Sequence, residues 1–128
     1  MIELEKIDRD FTICKMETIE NVDLSQEFVF VQKTLDEISM VCESAHVPEN
    51  AIAAETGWKA LKVSGTLDFG LIGIIAGIAN VLAEVEISIF VISTYDTDYV
   101  LIKADNYNRG IQELRNRGYV VSASTEYI

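Results

Sequence analysis

Along the first half of the chain, apolar and polar residues alternate in short runs; in the second half a long uncharged run and an amphipathic stripe break that rhythm. Residues 11–16 (FTICKM), 28–33 and 38–43 show the period-two pattern of strands, and Thr34-Leu35-Asp36-Glu37 between the last two predicts the turn of an antiparallel hairpin. The opening residues, up to Asp10, are polar and are expected at an edge or a frayed end, while residues 17–27 are acidic and weakly patterned. Pro48 and residues 49–55 predict one or two helical turns stopped by Gly57. Residues 58–63 (WKALKV) predict a strand, and residues 64–68 a loop. Residues 70–83 (GLIGIIAGIANVLA) then predict an apolar helix opened by Gly70. Residues 88–93 and 99–103 predict a second hairpin around Tyr95-Asp96-Thr97-Asp98. Asp105 is read as the cap of an amphipathic helix with Tyr107, Ile111 and Leu114 on one stripe, Gly118 as its stop, and residues 119–121 as a last strand.

From Trp58 onward the order is strand, helix, strand, strand, helix, strand, the ferredoxin-like βαββαβ arrangement. The first part is an abbreviated version of it. The chain is therefore read as α+β with two ferredoxin-like units, residues 1–57 and 58–128; the strand at 58–63 is able either to close the first or to open the second.

Composition narrows the function. The 128 residues are 49% hydrophobic, ample for a folded interior, and carry a formal net charge of −11, which repels phosphate backbones and anionic membrane surfaces. Neither nucleic acid nor membrane is expected as a partner. The charge-free stretch at 69–83 falls short of the roughly twenty residues of a membrane span. Cys14 and Cys42 sit in apolar runs and are read as core thiols able to lie close together on neighbouring strands. The start, MIELEKIDRD, alternates charges where a signal peptide would be apolar, so a cytoplasmic location is expected.

Residues 57–103, with Val47-Pro48, residues 55–58, Leu67-Asp68-Phe69-Gly70-Leu71 and Ser93-Thr94-Tyr95-Asp96-Thr97-Asp98, resemble the ACT-domain family, in particular bacterial tandem-ACT proteins related to the CASTOR-type arginine sensors. With the FTICK strand and the EISMVCE hairpin, the resemblance extends over nearly the whole chain. It implies two ACT units and regulatory or sensory binding of a free amino acid at an interface between ACT units, usually without catalysis; homo-oligomerisation is expected from the uncharged helix, too apolar all round for a lone exposed surface, and from the exposed edges of ferredoxin-like sheets. A regulated protein partner would receive the signal. Residues 17–27 depart from relatives richer in proline. The rival reading is a structural or protein-interaction module with a vestigial pocket.

An amino acid needs amides for its carboxylate and acceptors for its ammonium group. The expected helix start at Gly70, Leu71 and Ile72 offers the amides. Asp98 and Asp68 are candidates for the acceptors. Thr94 and the backbone around Ser88 and Ile89 would complete the cradle, with Tyr95 as a cover. Asp68 is also the natural N-cap of the apolar helix, and Asp96 and Asp98 are also ordinary turn residues; the resemblance favours Asp98 over Asp96. Gly73 and Gly77 are read as permitting close packing. No catalytic constellation is apparent: His46 is the sole histidine, in an expected exposed loop, and no metal site or cofactor is expected. Glu84 with Glu86 reads as a solvated helix end.

Overall fold

The computed structural model describes residues 2–64 and 72–123. The chain divides into two compact units: a contiguous one, Arg9–Trp58, and a helical one made of Met1–Asp8 with Lys59–Ile128. Strands β1 (Glu3–Met16) and β4 (Ala53–Val63) are long enough for each to contribute residues to both units.

In the contiguous unit, β2 (Val29–Lys33) and β3 (Ile38–Glu43) form the expected hairpin, paired antiparallel from Val29↔Cys42 to Lys33↔Ile38. β3 in turn pairs antiparallel with β1, from Phe11↔Glu43 to Met16↔Ile38. The strand order β2-β3-β1-β4 is that of a ferredoxin-like unit. Its helices, however, are missing: residues 17–28 form an irregular connection, and Ser44–His46 make a single 3-10 turn. Phe11 and Phe28 meet edge to face with centroids 5.7 Å apart. Arg9 lies 5.9 Å from the Phe28 ring and bridges Glu43 at 3.0 Å and Glu27 at 3.3 Å, which ties the irregular connection to β1 and β3. Thr12, fully buried, shares a 2.7 Å hydroxyl hydrogen bond with Ser44.

The helical unit runs β4, α1 (Ile74–Glu84), β5 (Ile89–Ser93), β6 (Asp98–Lys103), α2 (Ala104–Asn116), β7 (Val120–Ala123). This is the expected βαββαβ order, with one change of place. In a ferredoxin-like sheet the last strand flanks the first; here residues 3–8 of β1 occupy that position, and β7 lies outside them, parallel to β1 from Glu3↔Val120 to Lys6↔Ala123. Leu4, Leu61, Val63, Val100, Ile102 and Val121 on the sheet pack with Ile78, Val81 and Leu82 of α1 and Ile111 and Leu114 of α2 in a single core.

Several expectations are corrected. The opening residues are not frayed: β1 starts at Glu3 and buries Leu4 and Ile7, because β4 and β7 pair along it. Residues 49–55 make no helical turn. Ile52 instead donates its amide to the Lys15 carbonyl at 2.8 Å and β4 begins at Ala53, with Gly57 inside the strand at φ 83° rather than stopping a helix. The apolar helix begins at Ile74, not at Gly70, with Gly73 as its N-cap in the left-handed conformation (φ 81°). Asp105 lies within the first turn of α2, whose N-cap is Lys103; there it complements the helix dipole without a capping bond.

Both helices end in the same motif. At the end of α2, Tyr119 donates to the Leu114 carbonyl at 3.0 Å and Gly118 to the Arg115 carbonyl at 3.1 Å. At the end of α1, Ile87 donates to Leu82 at 2.9 Å and Glu86 to Ala83 at 3.0 Å. The left-handed residue is Gly118 (φ 96°) in the first case and Glu86 (φ 60°), which bears a Cβ, in the second. Glu84 is ion-paired with Arg117, which also bridges Glu113 at 3.3 Å.

Candidate ligand-binding site

The β5–β6 hairpin positions three of the predicted residues. Ser93 and Asp98 face each other across the register, and the Ser93 hydroxyl donates to Asp98 Oδ1 at 2.5 Å. The turn closes through the Thr94 amide to the Thr97 carbonyl at 2.8 Å and the Thr94 hydroxyl to the same carbonyl at 3.0 Å. Tyr95 projects from the tip at 83% exposure. Asp98 is half-buried, and a carboxylate that accepts one hydroxyl hydrogen bond retains acceptor capacity for a cation.

Thr97 decides where this hairpin tip lies. Its side chain is buried, and its hydroxyl donates to the Val63 carbonyl at the end of β4. Ser64 follows, its amide donating to the Glu3 carbonyl at 2.9 Å, and from there the chain enters residues 65–71. The turn of residues 94–97 and the departure of that segment therefore share one end of the helical unit. Asp68, Gly70 and Leu71 lie outside the described residues. Ile72 is almost fully exposed, at 96%, and precedes the helix. The first intrahelical amide bond is Gly77 to Gly73 at 2.8 Å, so the amides without an acceptor inside α1 are those of Ile74, Ile75 and Ala76, a few residues beyond the expected ones.

Ser88 and Ile89 stand elsewhere. Ile89 starts β5 and Ser88 precedes it, beside the C-terminal end of α1, and five residues of strand, roughly 16 Å, separate Ile89 from Thr94. The hairpin thus brings together Thr94, Tyr95 and Asp98, and it adds two residues that sequence reasoning did not select. Ser93 was recoverable from the hairpin register, since it faces Asp98; Thr97 had no local signal, because its bond to Val63 spans 34 residues of chain.

The remaining polar features are structural. Tyr107, whose hydroxyl donates to the Ala60 carbonyl at 3.4 Å, is held well above the ordinary tyrosine pKa by burial and, secondarily, by the Asp8 charge. Gly77 is approached by the Tyr119 hydroxyl, 2.9 Å from where a Cβ would stand, in keeping with a packing role. Gly73 has open space, and its left-handed φ accounts for it instead. His46 is exposed. Among the described residues no group of three or more His, Cys, Asp and Glu side chains could hold a metal ion, and no helix is long and apolar enough to cross a membrane.

A family model described as ACT domain matches residues 53–116, half of the chain, and the chain belongs to that family. Its fold is similar to the crystal structure of protein Atu0741 from Agrobacterium tumefaciens, with a TM-score of 0.86 at 28% identity over 96% of this chain and 93% of that one. Protein VC0802 from Vibrio cholerae, of unknown function, has the same fold at 20% identity, with a TM-score of 0.71 over 90% of this chain and 88% of its own. So does the regulatory subunit of aspartate kinase from Thermus thermophilus, at 8% identity, with a TM-score of 0.63 over 88% of this chain and 95% of that one. No curated protein matches the chain.

Proposed function

We propose that this ACT protein is a regulatory module of the cytoplasm that binds a free amino acid and passes that state to a protein partner. The observation that carries the reading is the bond from Thr97 to Val63: it fastens the Ser93/Asp98 pair and the Tyr95 tip to the end of β4, while the amides of Ile74, Ile75 and Ala76 open α1 without an acceptor inside the helix. An acceptor for an ammonium group and donors for a carboxylate are the two halves that amino-acid recognition needs. Membership of the ACT-domain family, the resemblance to CASTOR-type tandem-ACT proteins and the fold shared with an aspartate kinase regulatory subunit support the same class of ligand. A neighbouring ACT unit would complete the site, in a homo-oligomer.

The test is a thermal-shift screen of the twenty amino acids. A ligand present at 100 times its Kd stabilises the native state by about 2.7 kcal/mol. Asp98→Ala should abolish that shift while leaving the unliganded melting temperature nearly unchanged, because a half-exposed turn carboxylate contributes little to the core. No shift with any amino acid would overturn the reading and favour an interaction module; an undiminished shift in Asp98→Ala would remove Asp98 from the site.

A further inference from the structure

One buried cluster of the contiguous unit is built from sulfur. Cys14, Met16, Met40 and Cys42, all at 1–2% exposure, pack against one another, and the residues around them are Val22, Val29, Ile38, Val47 and Ala51. Cys14 is directly opposite Met40 in the β1–β3 register, and Met16 and Cys42 each lie two residues along from one of that pair, so all four side chains stand on one face of two adjacent strands. The thiols of Cys14 and Cys42 are within hydrogen-bonding reach of each other, and neither cysteine is in a disulfide.

Packing alone does not call for this composition. The helical unit has the same hairpin register, and there the places of Met40 and Cys42 are filled by Val100 and Ile102. Its first strand carries Leu61 and Val63 in the core where β1 carries Cys14 and Met16. Aliphatic side chains thus serve in one unit at positions that are all sulfur in the other. The cover differs as well. Over this cluster the fold has the irregular connection, with Val22, and the segment after the 3-10 turn, with Val47 and Ala51, in place of helices.

We propose that Cys14, Met40 and Cys42 form a binding site for a soft monovalent metal ion, copper(I), held by the two cysteine sulfurs with the Met40 thioether completing the shell; Met16, four strand positions from Cys42, lines the patch without reaching the ion. Paired thiolate and thioether donors select copper(I) over harder divalent ions, and the hydroxyl of Thr12, opposite Cys42 on the same face, is engaged with that of Ser44. In the absence of the ion, burial keeps both thiols protonated; binding transfers one proton from each coordinating thiol to solvent. The site is independent of the amino-acid reading, since it lies wholly in the contiguous unit.

The experiment titrates the phosphine-reduced full chain, without oxygen, against a chromophoric copper(I) chelator, with zinc(II) in parallel. The expected result is uptake of a single equivalent of copper(I), with no competing uptake of zinc(II). Cys14→Ala/Cys42→Ala should weaken uptake by more than about 100-fold, beyond the loss of an outer-shell partner. Met40→Leu, which conserves volume and spares the fold, should weaken it by about tenfold or more. No uptake by the wild type would overturn the proposal, as would uptake that survives either variant, or zinc(II) binding of equal strength. If the cysteine variant does not fold, the methionine variant decides alone.

Discussion

The hairpin VFVQKTLDEISMVCE and the hairpin IFVISTYDTDYVLIK lie sixty residues apart, Val29 corresponding to Ile89, and every paired position of one recurs in the other. Both turns open with a threonine whose amide donates three residues on, Thr34 to Glu37 at 2.9 Å and Thr94 to Thr97 at 2.8 Å. What differs is the anchoring of the turn and the chain that follows. Glu37 is exposed, whereas Thr97 is buried and bonded to Val63. After Glu43 the chain makes only the 3-10 turn, because Val47 precedes Pro48 and is extended (φ −66°, ψ 125°), a conformation that the following proline ring favours. After Lys103 no proline intervenes, and α2 runs for 13 residues to the glycine stop. One strand framework therefore accepts either two helices or two irregular covers, and the choice rests on a few residues outside the strands.

That contrast can be broken at several points. Leu82→Ala, which empties a fully buried position on the inner face of α1, should cost about 3 kcal/mol in urea unfolding, whereas Met40→Leu in the sulfur cluster should cost less than about 1.5 kcal/mol. A Met40→Leu cost equal to that of Leu82→Ala would mean that the irregularly covered core is as tightly fitted as the helix-covered one. Thr97→Val should cost about 1–2 kcal/mol by leaving the Val63 carbonyl without its donor; Glu37→Gln, at the matching position, should stay within about 0.5 kcal/mol. The two helix ends invite opposite substitutions. Gly118→Ala should destabilise by about 1 kcal/mol, and Glu86→Gly should stabilise by about 0.5 kcal/mol, both readable as melting-temperature shifts. The last probe is pH. Burial, with Cys14 and Glu43 adding to it, pushes the Cys42 thiol from 9.0 up to about 12. Its contribution to stability is therefore complete below pH 9.0 and is lost as pH rises toward about 12, where the unfolded chain has released a proton that the fold retains. Cys42→Ala should remove that part of the alkaline decline in urea-unfolding free energy.

Strand periodicity made both hairpins, α2 and the ferredoxin-like order of the helical unit legible, because those signals are local. The errors arose where pairing overrode local character. The polar opening of β1 and residues 53–55 are strand because β1 and β4 pair along their lengths, as the Ile52 to Lys15 and Ser64 to Glu3 bonds at the two ends show. The late start of α1 was hidden because an uncharged run offers no polar boundary; only Gly73, with its positive φ, marks it. At the candidate site, Thr94, Tyr95 and Asp98 were legible as a polar turn between apolar strands. Thr97 was not, since its partner is remote in sequence, and the directions of β5 and α1 were needed to see that Ser88 and Ile89 lie at the far end of the strand.

The division of β1 also sets an order of events during biosynthesis. Residues 9–58 are consecutive and can complete their strand pairings as soon as they leave the ribosome. The segment before them cannot: Glu3 waits for Val120, and Leu4 for Val121, so the strand made first receives its outer neighbour last. During that wait Leu4, destined to be fully buried, belongs to an unfinished sheet edge, the kind of nascent surface that chaperones recognise.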